Sequence, residues 1–178
     1  MIEHSTRKPT MTNQPVTSQE VLSQYADGPS LLDFALSGLR ETDLDLTPSV
    51  DAWSIRQIVH HIVDGDDIWK PCIKTALGNS EALFSLGWYA VKSQEEWSEN
   101  WAYPRRGLEP SLALYRANRA HIVDLLEHIP GALEKSIRLE RRGKEEIRIT
   151  VFDVVELHVR HLEEHIESIK AIRQAHGV

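Results

Sequence analysis

From Val151 to Ile172 the chain places Val151, Val154, Val155, Leu162, Ile166, Ile169 and Ile172 on one side of a helical wheel, and Glu156, Arg160, Glu163, Glu167 and Lys170 on the other. The period of 3.6 residues holds for about six turns without proline or glycine. A helix this long, with one apolar stripe, must bury that stripe against other helices. Thr150 and Asp153 read as a capping box at its start, and the pattern carries it to about Gln174.

The partners are legible upstream. Leu31, Leu32, Phe34, Ala35, Leu36 and Leu39 form one helical face ending near Arg40. Asp27-Gly28-Pro29 separates this helix from a short one after Ser18, with Pro29 in the first turn of the second. Ser54 and Gln57 form a second capping box. The helix they open has Ile55, Ile58, Val59, Ile62, Trp69 and Ile73 on one face, and Pro71 is expected to kink or end it. Another helix runs from about Pro110 to Ile129, with Leu112, Tyr115, Ile122, Val123, Leu126 and Ile129 as its stripe. Residues 78–107 read as a long irregular connection with a short helix near Gln94–Asn100. Ile137/Leu139 and Ile147/Ile149 alternate around Gly143, which predicts a β-hairpin. The expectation is an all-α four-helix bundle with one small hairpin before the last helix. Residues 1–17 read as a disordered polar tail and 18–178 as a single domain. Met11 is an alternative start.

Composition narrows the function. A formal net charge of -7 without a basic stripe argues against nucleic acid. The pairs Arg105–Arg106 and Arg141–Arg142 read as loop solubility. The single cysteine, Cys72, excludes an intramolecular disulfide and points to a reducing, cytoplasmic setting. No apolar run reaches the roughly 18 residues of a membrane span, and the first residues lack a signal-peptide core, so no membrane partner is expected.

Histidine placement carries the functional signal. His158, His161 and His165 fall on the apolar side of the last helix, and His161 and His165 are spaced i, i+4, which lets two imidazoles reach one ion. On the helix after Ser54, His61 lies at the margin of the apolar stripe, while its neighbour His60 falls on the polar side and is expected to be solvated. Buried imidazoles need partners for their ring nitrogens, and a shared metal would satisfy His61, His161 and His165 together. The alternative is a set of separately satisfied core histidines. Asp66 also projects toward the stripe, as an acceptor behind a ligand's free N–H or as an ion-pair partner. Arg119 lies in line with Tyr115 and Ile122; it must pair, snorkel, or clamp an anionic substrate group. Trp69, Trp88, Trp97 and Trp101 fill a core by default, with a pocket wall as the alternative.

The string Trp53-Ser54-Ile55-Arg56-Gln57-Ile58-Val59-His60-His61-Ile62-Val63-Asp64 resembles the W-S-x-x-x-φ-x-x-H-φ-x-D segment of the DinB/YfiT-like superfamily, and His161-Leu162-Glu163-Glu164-His165-Ile166 is similar to its H-x-x-x-H-φ segment. The resemblance covers roughly residues 20–175. It implies up-down-down-up connectivity and a metal triad of His61, His161 and His165, with His158 outside the motif. It also implies thiol-dependent transferase or metal-dependent hydrolase activity, and a homodimer.

Three neutral imidazoles leave an open coordination position. Zinc and nickel suit it first, with iron and copper also compatible. Such an ion supports hydrolysis of a small molecule, or activation of a low-molecular-weight thiol for S-transfer. Glu164 borders the histidine side as a base, or is simply solvated. His161-Leu-Glu-Glu-His165 also matches an inverted zinc-peptidase motif, but only thirteen residues follow His165 to supply another ligand. A di-iron site would need glutamates three residues before the histidines, where His158 and Leu162 stand. A non-catalytic bundle binding a metal or a small molecule remains the alternative class.

Overall fold

The computed structural model describes residues 17–140, 142–143 and 145–178. Residues 1–16 of the expected tail, with Met11, and Arg141 of the second arginine pair lie outside the described residues. Four long helices, α1 (Ser18–Leu36), α2 (Ile55–Gly78), α4 (Glu109–His128) and α5 (Val151–His176), carry the architecture. The short α3 (Gln94–Asn100) and three strands, β1 (Leu83–Ser85), β2 (Ser136–Glu140) and β3 (Ile147–Thr150), fill the connections.

The helix starts follow their chemistry. Thr17, Ser54, Ser93 and Thr150 each accept from the N3 backbone N–H, while Glu20, Gln57, Glu96 and Asp153 reach back to the cap. Each box satisfies two donors that a helix start otherwise leaves orphaned. Thr17 thus belongs to the folded domain rather than to the tail.

Contacts along the helices give their directions. His60 of α2 meets Ser111 of α4, and ten residues later Lys70 meets Asn118, so α2 and α4 run parallel. Tyr25 of α1 stacks on His158 of α5, and the Ala35 carbonyl accepts from Arg173, so α1 and α5 also run parallel. His61 meets His161 while Asp66 meets His158, so α2 and α5 are antiparallel. Asp33 of α1 pairs with Arg116 of α4 while Tyr25 O accepts from Arg119, so those two are antiparallel as well. The connectivity is up-down-down-up. α1 and α2 each pack on both α4 and α5, so α1 stands diagonal to α2 and α4 diagonal to α5.

Two apolar clusters fill the interior. One gathers Leu32, Ile55, Ile58, Val59, Ile62, Leu162, Ile166 and Ile169. The other gathers Val21, Tyr25, Cys72, Ile73, Ile122, Ile137, Val154 and Val155. Between them each of three helices contributes a buried polar side chain: Asp66, Arg119 and His158.

The expectation for Pro29 is corrected, and of the two outcomes open for Pro71 the helix does not end there. α1 is one helix with Pro29 inside it, not two helices parted at Asp27-Gly28-Pro29. Proline at 29 removes the N–H that would bond the Tyr25 carbonyl, and Arg119 Nη1 donates to that carbonyl at 3.0 Å instead. α2 likewise continues through Pro71 to Gly78. Pro71 and Asp67, whose carbonyl loses its partner, are both exposed, so water can satisfy it.

The hairpin forms with Ile137 opposite Ile149. β1, inside the segment expected to be irregular, adds a third strand parallel to β2, with Leu83 opposite Arg138. Three residues are too few for a period-2 pattern to register.

Candidate metal centre

His61 enters from the first half of α2, and His161 and His165 from successive turns of α5. His161 Nε2 lies 2.9 Å from His61 Nε2 and 3.1 Å from His165 Nε2. One ligand atom from each lies within 4.8 Å of the other two. A neutral imidazole nitrogen offers either one proton or one lone pair, so His161 Nε2 cannot satisfy both neighbours by hydrogen bonding. Three lone pairs facing one point suit a cation. Tetrahedral coordination at zinc–nitrogen lengths sets ligand atoms about 3.3 Å apart, close to the observed spacing.

The electrostatics favour the ligating form. Burial lowers the pKa of His61 to about 4, helped by the neighbouring His165. Burial, then His61 and His165, lowers His161 to about 3. His165 is lowered by burial and partly restored by Glu164. All three are neutral near pH 7, with lone pairs available.

Local packing positions the rings. Trp53, just before the Ser54 cap, meets the His61 ring edge-on with centroids 4.9 Å apart. Gly65, one turn after His61, lies against the His161 ring: a Cβ there would make an ordinary contact 3.4 Å from His161 Cε1, and a larger side chain would meet the ring. Neither role was read from the sequence. The available signal was an isolated glycine inside an otherwise helical pattern.

Behind the triad lies a closed network. Arg119 Nε sits 3.0 Å from both Asp66 oxygens, and its Nη2 lies 2.7 Å from Oδ1. The guanidinium also stacks 3.8 Å from the Tyr25 ring centroid. The Nε/Nη2 fork is thus taken by Asp66 and Nη1 by the Tyr25 carbonyl, so the pairing alternative is the one the geometry shows. Asp66 does not back a triad histidine. It lies 3.3 Å from His158 Nδ1, off the line of a good hydrogen bond. His158 is buried, and among the described residues neither ring nitrogen has a hydrogen-bond partner. Each such orphan costs about 1–3 kcal/mol.

His60, expected to be solvated, is completely buried. The N-terminal turn of α4 and the loop before it cover this side of α2. His60 Nε2 donates to Arg106 O at 3.3 Å, and Ser111 Oγ donates to its Nδ1 at 2.9 Å. Arg106 is therefore more than a solubilising loop residue. It also donates to Trp101 O and Ser111 Oγ. Arg105 is exposed, and Arg142 donates to Ala90 O. Glu164 is exposed and does not line the cavity beside the triad.

That cavity, of about 190 Å³, is lined by His61, Gly65, Trp69, Leu157, His158 and His161, and is closed by Tyr89 and Gln94. Tyr89 donates to Gln94 Oε1 at 2.7 Å, and Trp97 Nε1 donates to Tyr89 O at 2.8 Å. Ile68 separates it from an open groove of about 670 Å³ walled by Phe84, Trp88, Trp101, Asp64 and Arg106. The tryptophans thus divide. Trp69, Trp88 and Trp101 line these spaces, while Trp97 stacks on Tyr89. The connection between α2 and α4 builds the outer wall of the site.

Cys72 is buried, and burial pushes its thiol up to about 12, so the chain itself supplies no thiolate. Among the described residues, no helix is long and apolar enough to cross a membrane.

Known proteins are similar to this chain in sequence and fold. A "putative metal-dependent hydrolase" of Bacillus licheniformis is 30% identical over 161 residues, spanning 88% of this chain and 85% of its own. One of Bacillus mycoides with the same name is 27% identical over 152 residues, spanning 84% and 83%. In structure the chain is similar to YfiT from Bacillus subtilis, described as "a probable metal-dependent hydrolase with an unusual four-helix bundle topology", at a TM-score of 0.75 and 20% identity over 96% of this chain and 94% of that one. The profile of the DinB superfamily matches residues 24–169. That match spans α2 and α4 and most of α1 and α5, with all three triad histidines inside it, and the chain belongs to the DinB superfamily.

Proposed function

We propose that this protein is a metal-dependent hydrolase of a small molecule, with His61, His161 and His165 as the ligands of one divalent ion, zinc or nickel. The convergence of three neutral Nε2 atoms carries the reading. The names borne by the Bacillus licheniformis and Bacillus mycoides relatives support it. When bound, such an ion supplies Lewis acidity at an open coordination position. The chain's own residues do the rest. Trp53 packs edge-on against the His61 ring, Gly65 leaves room beside His161, Ile68, Trp69 and Leu157 exclude water from one side, and Tyr89 and Gln94 close the other. The groove beyond Ile68 is the approach for substrate, and its aromatic walls suit a molecule with an apolar body. Thiol transfer at the same centre would need a soluble thiol as co-substrate, because Cys72 is buried.

The test is metal analysis of untagged protein by mass spectrometry, with His61→Ala and His165→Ala in parallel. Near-stoichiometric metal in the parent and traces in both variants are expected; full metal content in both variants overturns the triad. Loaded protein is then offered a panel of esters and amides, and separately low-molecular-weight thiols with an electrophilic acceptor. Turnover only in the second assay replaces hydrolysis with S-transfer.

A further inference from the structure

We propose that the groove outside Ile68 is a subsite for an organic ammonium group: the Asp64 carboxylate accepts from the protonated amine of a small molecule whose apolar body lies against Trp88, Trp101 and Phe84. Calling that molecule the substrate rests on the reading in which the groove leads to the metal centre; the binding itself does not.

Asp64 stands in the groove wall with its side chain 20% exposed, within reach of a ligand. Its pairing inside the protein is incomplete. Arg106 Nη1 lies 3.8 Å from Asp64 Oδ2, beyond hydrogen-bond distance, and donates instead to Trp101 O at 3.4 Å. Arg106 Nη2 donates to Ser111 Oγ. The buried Tyr103 hydroxyl does not complete the set, since it has no hydrogen-bond partner among the described residues. Burial raises the pKa of Asp64, and the Arg106 charge only partly opposes it. Asp66, two residues on, is by contrast held by three close contacts from Arg119. A largely buried carboxylate with one loose cation favours a ligand that brings positively charged N–H donors.

The rest of the wall suits the same molecule. Trp88 is 53% exposed, a large apolar ring left bare beside a carboxylate. Trp101 and Phe84 are half-buried around the same groove. Aromatic rings next to acids attract organic cations through the ring quadrupole. Asp67, exposed in the groove wall, accepts from Asn118 and adds a second negative charge. A volume of about 670 Å³ accommodates a small molecule, and Ile68, shared with the cavity beside the triad, places one end of it next to that cavity. An anion fits less well: it would meet two carboxylates for one guanidinium, on a chain of net charge -7.

Phenethylamine, phenethyl alcohol and hydrocinnamate are the probes, since they share an aromatic body and carry positive, no and negative charge at neutral pH. Each is titrated into metal-free, isotope-labelled full-length chain, and the indole N–H resonances of Trp88 and Trp101 are followed. Phenethylamine is expected to move both resonances and to bind about tenfold more tightly than either other probe. Asp64→Asn, which keeps the shape, should abolish that preference and leave phenethyl alcohol affinity and metal content as they were. No phenethylamine binding at millimolar concentration, equal affinity for the three probes, a preference for hydrocinnamate, or an amine preference that survives Asp64→Asn overturns the proposal. Should Asp64→Asn fail to fold, Trp88→Leu, at an exposed position, decides: amine affinity should fall several-fold, and undiminished binding overturns the site. Because the titrations are run without metal, a failed triad and a failed amine subsite are separate results.

Discussion

Replacing Arg119 by Met separates a structural ion pair from a substrate clamp. The substitution keeps most of the aliphatic volume and removes the guanidinium. Asp66, 4% exposed, then remains as a buried carboxylate without its cation, beside the His158 ring and the Tyr25 side chain. Breaking a buried pair by removing one partner costs about 3–5 kcal/mol. The Tyr25 carbonyl, already deprived of its helical donor by Pro29, loses its last one, which adds about 1–3 kcal/mol. A total near 5 kcal/mol lowers the melting temperature of a chain this size by about 10–20 °C. The shared carbonyl makes a sharper test. Pro29→Ala restores an N–H at position 29, so it should stabilise the Arg119→Met protein more than the parent, by about 1 kcal/mol. Denaturant titration of the four proteins at neutral pH measures that difference. Equal effects of Pro29→Ala in both backgrounds would refute the account of how α1 tolerates its proline. An Arg119→Met protein of parental stability with a raised KM would restore the clamp.

The remaining predictions concern pH, the histidine packing and a helix start. His158 and His60 each have a folded pKa lowered to about 4, burial being the first cause, against 6.5 when free. The unfolded chain therefore binds more protons between those values, and stability is lost as pH falls from about 6.5 to about 4, with about 3 kcal/mol from His158 alone; urea midpoints across that window check it. Gly65→Ala should retain metal, since its Cβ makes an ordinary contact, whereas Gly65→Leu should displace the His161 ring and lose metal with little loss of helix content, read by mass spectrometry and circular dichroism. Gly28→Ala should destabilise despite alanine's better helix propensity, because its Cβ would meet Leu162 Cδ2 at 3.0 Å and Arg119 Nη1 at 3.2 Å; thermal melts measure it. Thr150→Ala should cost about 1 kcal/mol through loss of the α5 cap, in the same melts.

What a single sequence can show is what repeats along one helix. The stripe on α5, the boxes at Ser54 and Thr150, and the spacing of His161 and His165 are all local regularities, and they appear in the structure where the wheel puts them. His60 went the other way because a wheel assigns faces relative to one core, and α2 has cover on a second side: Ser111 and Arg106 come from residues about fifty positions away. Pro29 was misread for a similar reason. The donor that lets α1 continue belongs to α4, so nothing near position 29 announces it. The outer wall of the site was also hidden, because residues 83–101 hold their shape through single contacts, such as Tyr89 to Gln94 and Trp97 to the Tyr89 carbonyl, rather than through a period.

The polar layer between the two apolar clusters links these misreadings to function. Asp66, Arg119 and His158 could be replaced by packed apolar residues without loss of the fold, and buried ion pairs often give no more stability than such a core. Pairing accounts for two members of the layer and leaves the third, His158, with an unmatched acceptor buried inside it. If the layer served stability alone, closing that acceptor would be favourable: His158→Phe would raise the melting temperature and change nothing else.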